Sequence, residues 1–201
     1  MGKIAFVFPG QGAQVVGMGQ NVYENSAVAK DVFEQASKAV DLDLKALCFE
    51  ENNDINITEF TQVCLLTTSV AIMEELKTRG VKADVAAGLS LGEYCALVAA
   101  GSMNFVDAAK AVRKRGIFMQ EEVPAGKGTM AAILGMDAAE IDKNIEEFDK
   151  VQVANYNCPG QIVISGETEQ VKQAADKLKE AGAKRAVLLN VSGPFHSSLL
   201  T

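Results

Sequence analysis

Apolar residues recur along this chain with two different spacings, and the spacing changes partway. Residues 3–8 form a short β-rich run stopped by Pro9-Gly10-Gln11-Gly12. That pattern predicts a buried strand and a tight turn. Helical spacing is expected over about 26–40 and 61–79. In the second stretch Val63, Leu66, Val70, Met73 and Leu76 share one face, and Gly80 ends it. Residues 84–87 read as a short strand, 91–100 as an Ala-rich buried helix closed by Gly101, and 104–122 as a helix that stops at Pro124. Strand and helix alternate here, which implies a parallel sheet.

The order changes after Pro124-Ala125-Gly126-Lys127-Gly128, which reads as a hinge. A strand (129–136), a helix (137–148) and a strand (151–157) are expected next. The turn Cys158-Pro159-Gly160 leads to a strand (161–166), a helix (168–181) and a last strand (184–192). This β-α-β-β-α-β order is the ferredoxin-like split unit. The expected organisation is therefore an α/β unit over 1–124, a small inserted subdomain over 125–192, and a return to the larger unit over 193–201. A host that resumes so briefly suggests a fragment of a longer chain.

Composition narrows the function classes. With 26 acidic against 19 basic residues the net charge is −7. No global field then favours nucleic acid or an anionic membrane, and an acidic partner would need a local basic patch. The broad hydrophobic share of 48% is enough to bury a core in one domain or two intimate subdomains. Cys48, Cys64, Cys95 and Cys158 are far apart with no CxxC pair, as in reduced cytosolic thiols rather than disulfides or zinc ligands. The apolar run at 4–8 is too short for a signal or a span. Gly2 could invite myristoylation, but Phe6 stands where Ser or Thr is wanted. A soluble, cytoplasmic chain without a metal site is expected.

The candidate chemistry begins at Gly88-Leu89-Ser90-Leu91-Gly92, a G-x-S-x-G pattern between an expected strand and an expected helix. That setting is a nucleophile elbow, with Ser90 at the positive end of the helix. The plainer alternative is a Ser N-cap between two turn glycines. His196 is the only histidine and the natural general base for a serine. A lone His is more often a surface or satisfied polar residue, but this one follows a Gly-Pro turn where the chain leaves the small unit. Asp107, Asp137 and Asp176 each fit a helix start or a solvated helix face better than a third catalytic role. Gly10-Gln11-Gly12 fails as a dinucleotide fingerprint because Val15 stands where a third glycine is needed. It fits better as a strand-end loop whose Gln11 N–H joins the Leu91 N–H in an oxyanion hole. Lys110 to Gly116 is the densest basic stretch. Most such runs are solvated helix faces, but Arg115 is followed by apolar residues and lies about 100° round the helix from Lys114. An Arg facing a cleft needs an anion, and a substrate carboxylate would serve.

Five segments together resemble a known family. They are Phe8-Pro9-Gly10-Gln11-Gly12-Ala13-Gln14, Gly88-Leu89-Ser90-Leu91-Gly92-Glu93-Tyr94, Arg115-Gly116 with Phe118-Met119-Gln120, Asn157-Cys158-Pro159-Gly160-Gln161, and Gly193-Pro194-Phe195-His196-Ser197. In this order they are similar to the signatures of malonyl-CoA–acyl carrier protein transacylases, shared by acyltransferase domains of fatty acid and polyketide synthases. The resemblance implies an α/β-hydrolase-like core carrying a ferredoxin-like insert. It implies a malonyl ester on Ser90, His196 as base and then acid, and the Gln11 and Leu91 amides as oxyanion hole. Arg115 would pair with the malonyl carboxylate, and Gln62, Met119 and Phe195 would bind substrate, the Phe195 ring leaving no room for an α-methyl branch. Malonyl-CoA is then the substrate, with no permanently bound cofactor. The partner is an acidic acyl carrier protein, for which Lys110, Arg113, Lys114, Lys184 and Arg185 are the docking candidates. Members of this family are longer. Their additional C-terminal part normally holds the catalytic histidine through a backbone carbonyl and carries a pocket glutamine. Three other readings stand beside this one. A serine esterase or thioesterase on the same core has no need of a buried Arg115. A non-catalytic acyl-binding fragment would lack the support of His196. A nucleotide-binding Rossmann domain is the most distant.

Overall fold

The computed structural model describes residues 2–123, 126–189, 191 and 193–200. Pro124 and Ala125 of the expected hinge, and Asn190 and Ser192 at the end of the last expected strand, lie outside the described residues. The fold is mixed α/β, with a parallel sheet and a separate antiparallel sheet, and the chain divides into two compact units, Met1–Ile117 and Phe118–Thr201.

The first unit contains β1 (Ala5–Phe8), α1 (Gln20–Asn25), α2 (Ala27–Val40), α3 (Leu44–Phe49), a 3₁₀ turn at Asp54–Asn56, α4 (Thr58–Thr78), β2 (Val85–Gly88) and α5 (Gly92–Ala99). It also takes in most of α6 (Phe105–Glu122). β1 and β2 pair in parallel, Ala5 opposite Val85 through Phe8 opposite Gly88, so both strands end at one level. The loops after them therefore emerge side by side. α4 is buried over most of its length, which removes solvent from Val63, Leu66, Val70 and Met73 but also from Thr58, Thr61, Gln62 and Thr67. Such buried polar groups are costly unless they are bonded. α1 and α3 were not foreseen. Six residues each give no readable periodicity; a side-chain cap holds α3, and aromatic packing holds both. Asp43 accepts from the N–H groups of Lys45 and Ala46, and Tyr23, Phe33 and Phe49 stack ring against ring at 5.2–5.5 Å.

The second unit runs β3 (Gly128–Leu134), α7 (Ala138–Ile145), β4 (Val151–Cys158), β5 (Gln161–Glu167), α8 (Thr168–Glu180) and β6 (Arg185–Leu188). Its sheet is antiparallel in the order β4-β5-β3-β6. Period-2 alternation decides its two faces. Ala131 and Ile133 pack under α7 and α8 with Ile141, Val171 and Leu178, whereas Met130, Ala132 and Val163 face the other way and meet Phe195. Among the described residues no helix is long and apolar enough to cross a membrane.

Candidate active site

The turn that carries Ser90 is built by close backbone approach. β2 ends at Gly88, the Leu89 N–H donates to the Phe8 carbonyl at 3.1 Å, and α5 begins at Gly92. A Cβ at Gly88 would lie 1.9 Å from the Gly92 carbonyl group, and one at Gly92 would lie 2.3 Å from the Phe8 oxygen. Neither position admits a side chain, which is the physical reason for both glycines of G-x-S-x-G. Ser90 between them holds φ at +52°, in the left-handed region that L-residues avoid. The N-cap alternative does not hold. Leu91 is the N-cap of α5 and no side chain caps that helix, whereas Ser90 Oγ accepts a hydrogen bond from Arg115 Nη2 at 3.3 Å.

Arg115 comes from α6 and is held from α4. Its Nη1 donates to Gln62 Oε1 at 2.7 Å, and its guanidinium lies 5.9 Å from the centre of the Tyr94 ring. Gln62 is buried, 1% exposed, so its amide oxygen is satisfied by the arginine rather than by solvent. Burial pushes the Arg115 pKa below the usual arginine value, with Tyr94 and Glu93 pulling it back up. The group remains a cation at neutral pH. Gly116 explains how α6 comes so near. A Cβ there would lie 2.6 Å from Glu59 Cα and 2.9 Å from the Thr58 oxygen, so the helix packs directly on the first turn of α4. Gln11, on the loop after β1, turns its side chain to the same place and donates from Nε2 to Thr58 Oγ1 at 3.1 Å. Ser90, Arg115, Gln62, Gln11 and Leu91 all belong to the first unit. Thr58 and Tyr94 were missed from sequence. Thr58 lies outside the helix expected over 61–79, since α4 begins three residues earlier, so its spacing to Gln62 gave no signal; for Tyr94 the available signal was its position within the serine motif.

His196, Phe195 and Met119 belong to the second unit. His196 is exposed, with φ at +56° in the turn after Pro194. Its carbonyl accepts a long bond from Gln152 Nε2 at 3.5 Å, and Gln152 Oε1 accepts from the Ser198 N–H at 3.0 Å. Ser197 Oγ donates to the Pro194 carbonyl at 2.7 Å, which closes the turn. The Phe195 ring is buried against Met130, Ala132 and Val163, and Met119 packs on the same cluster. A cavity of about 160 Å³ lined by Phe118, Met119, Glu122 and Leu200 adjoins it. The larger cavity, about 320 Å³, lies between β1 and α4 in the first unit and includes neither Ser90 nor Arg115.

Of the basic candidates, Lys110, Lys114, Lys184 and Arg185 are exposed. Arg113 is instead paired with Glu59 and stacked 4.8 Å from the Phe60 ring centre. Asp107 lies in the first turn of α6, Asp137 occupies the N-cap position of α7 without a side-chain cap bond, and Asp176 lies on α8, in line with their sequence reading. All four cysteines are free, and no cluster of metal-ligating side chains occurs among the described residues.

The sequence pattern of the acyl transferase domain matches residues 5–201. The chain is 54% identical over 205 residues to a Bacillus subtilis (strain 168) protein named malonyl CoA-acyl carrier protein transacylase, covering all of this chain and 65% of that protein. A crystal structure of malonyl CoA-acyl carrier protein transacylase from Clostridium perfringens superposes with a TM-score of 0.94 at 47% identity, over 99% of this chain and 64% of that one. A malonyl-transacylase in complex with its type II polyketide synthase acyl-carrier protein gives 0.94 at 43% identity, over 98% and 66%. The chain thus spans about 65% of the length of the B. subtilis relative.

Proposed function

Because this chain belongs to the acyl transferase domain family, we propose that the whole protein moves a malonyl group from coenzyme A to the phosphopantetheine thiol of an acyl carrier protein through a malonyl ester on Ser90. The observation that carries this reading is the guanidinium of Arg115, fixed by Gln62 and placed on the Ser90 oxygen. An acyl group that is itself an anion is the substrate such a cation selects, because a planar guanidinium pairs a carboxylate with two hydrogen bonds. A simple esterase has no use for it.

In this mechanism Ser90 Oγ attacks the thioester carbonyl while His196 takes its proton. The carbonyl oxygen becomes an oxyanion, held by the Gln11 and Leu91 N–H groups at the positive end of α5. Collapse breaks the C–S bond, and the leaving thiolate of coenzyme A takes the proton from His196. The carrier thiol then repeats the sequence in reverse: it gives its proton to His196, attacks the ester, and Ser90 leaves with that proton. Only thiols, a hydroxyl and one imidazole exchange protons, so no cofactor is required. The family resemblance gives Met119 and Phe195 the role of substrate-binding residues. The carrier protein docks through Lys110, Lys114, Lys184 and Arg185, and the name of the complexed structural neighbour supports a carrier partner. The same reading takes the antiparallel unit as a ferredoxin-like insert, supported by its strand order β4-β5-β3-β6, in an α/β-hydrolase-like core, supported by the elbow after β2. Four free thiols fit a reducing cytoplasm.

Intact-mass measurement of the full-length protein after incubation with malonyl-CoA tests the reading. One malonyl adduct is expected, lost in Ser90→Ala and discharged by a carrier thiol much faster than by water. An adduct that survives Ser90→Ala, or one that water discharges as fast as thiol, refutes it.

A further inference from the structure

The loop that presents Gln11 is tied down by side chains that converge on one short segment. Gln11 Nε2 donates to Thr58 Oγ1 at 3.1 Å, the Gly12 N–H donates to Gln14 Oε1 at 2.8 Å, and Gln14 Nε2 donates to Asn56 Oδ1 at 3.1 Å. Two of these three bonds end within Asn56–Thr58. That segment is itself stapled, since Thr61 Oγ1 donates to the carbonyls of Ile55 (2.6 Å) and Ile57 (3.0 Å). Thr58 is fully buried, 0% exposed, so its hydroxyl has no role in solvation. One helical turn on, Gln62 grips Arg115, and between the two the Gly116 backbone rests on Thr58 and Glu59.

We infer that Thr58 is a positioning residue for acyl transfer: its hydroxyl anchors the Gln11 side chain and so sets where the Gln11 N–H meets the developing oxyanion. The inference rests on the reading of Gln11 as an oxyanion donor. The first turn of α4 then acts as a ruler, with Thr58 fixing the donor for the reacting carbonyl and Gln62 fixing the cation for the distal carboxylate. Thr58→Val keeps the shape and removes the hydroxyl. A donor displaced by about 1 Å loses on the order of 10²-fold in rate, so a 10- to 100-fold fall in kcat is expected. KM and the malonyl-to-acetyl preference should stay near wild type, because the Arg115 end of the ruler is untouched.

The test is single-turnover acylation of the full-length protein by malonyl-CoA, with melting temperature followed in parallel. Thr58→Ser, which retains the hydroxyl, should recover most of the rate. Gln11→Met removes the other end of the bond and should be as slow as Thr58→Val, with the double variant no slower than either. Overturning results are a Thr58→Val enzyme as fast as wild type, a Ser variant as slow as Val, or additive losses in the double variant. A wild type whose Ser90 takes up no acyl group takes both readings down. A wild type that is acylated, with Val at 58 equally fast, overturns this inference alone.

Discussion

Adding one methyl group at Gly116 should damage both stability and substrate choice, against the ordinary trend. In a helix interior Gly→Ala normally gains about 1 kcal/mol. Here the new carbon would meet Glu59 Cα at 2.6 Å, roughly 0.8 Å inside the 3.4 Å at which contact becomes ordinary, with the Thr58 oxygen at 2.9 Å. The obstacles are backbone atoms, which no rotamer change can move. Overpacking of this kind costs about 1–3 kcal/mol, so the net change is a loss of up to about 2 kcal/mol. At about 2–4 °C per kcal/mol for a chain of this size, Gly116→Ala should melt several degrees lower. If α6 retreats from α4 by the full overlap, the 2.7 Å bond from Arg115 to Gln62 stretches to the limit of hydrogen bonding. The arginine then floats, and malonyl kcat/KM should fall by about 10- to 100-fold, since misplacement near 1 Å has that effect. Acetyl transfer, which needs no cation, should fall much less. Measuring kcat/KM for both thioesters, with thermal unfolding alongside, checks the chain of reasoning. A Gly116→Ala protein at least as stable as wild type, with an unchanged malonyl-to-acetyl ratio, refutes the argument that this glycine sets the reach of Arg115.

Other outcomes follow from the same geometry. Arg115→Ala should lower malonyl transfer on the order of 10²-fold relative to acetyl, the usual effect of losing a charge pair, with Lys recovering only part; the ratio of kcat/KM values for the two thioesters reads this directly. His196→Ala should slow acylation of Ser90 by about 10²–10⁴-fold, as measured by stopped-flow release of coenzyme A; a near-normal rate at pH 7 would assign the base elsewhere. A thiol reagent at pH 8 should label Cys158 first, since it is exposed, whereas burial pushes Cys95 up to about 11 and a bond to Cys48, with burial, raises Cys64 well above the usual thiol range; peptide mapping of the first adduct decides it. Ser90→Gly should be at least as stable as Ser90→Ala in thermal unfolding, because only glycine holds a φ near +52° without strain.

The sequence made the second unit readable almost element by element. Its two central strands are short apolar runs, its helices have one apolar face, and Cys158-Pro159-Gly160 punctuates the hairpin, so local pattern and structure agree there, whereas the last strand, expected over 184–192, is among the described residues a strand only over Arg185–Leu188. The elbow was equally legible, because the two glycines and the serine are contiguous and the strand before them is short and apolar. What could not be read was pairing across long stretches of chain. Gln62 and Arg115 are 53 residues apart, and Glu59 and Arg113 are 54 apart. No local rule brings them together, and only the tertiary contact at Gly116 does. For the same reason Arg113, which the basic stretch suggested as a docking cation, is instead committed to Glu59 and Phe60. α1 and α3 escaped notice because their helical state is fixed by an aromatic cluster, with a cap on α3, rather than by periodicity.

Backbone strain sets a few residues apart without reference to their chemistry. Among the described residues three that are not glycine have φ in the left-handed region: Asp41, Ser90 and His196. Asp41 has a local explanation, since it ends α2 as a C-cap whose N–H returns to the Ser37 carbonyl, and aspartate tolerates that region. Neither Ser90 nor His196 terminates a helix, and each sits in a turn fixed by its neighbours: Ser90 between glycines that admit no side chain, His196 in a turn closed by Ser197 on Pro194. Strain of about 1–3 kcal/mol per residue persists only where surrounding structure over-determines it. In the proposed reaction these two residues are the nucleophile and the base. Placement of a reactive group at a particular angle is a sufficient reason to hold that strain, and helix or strand formation at those positions is not.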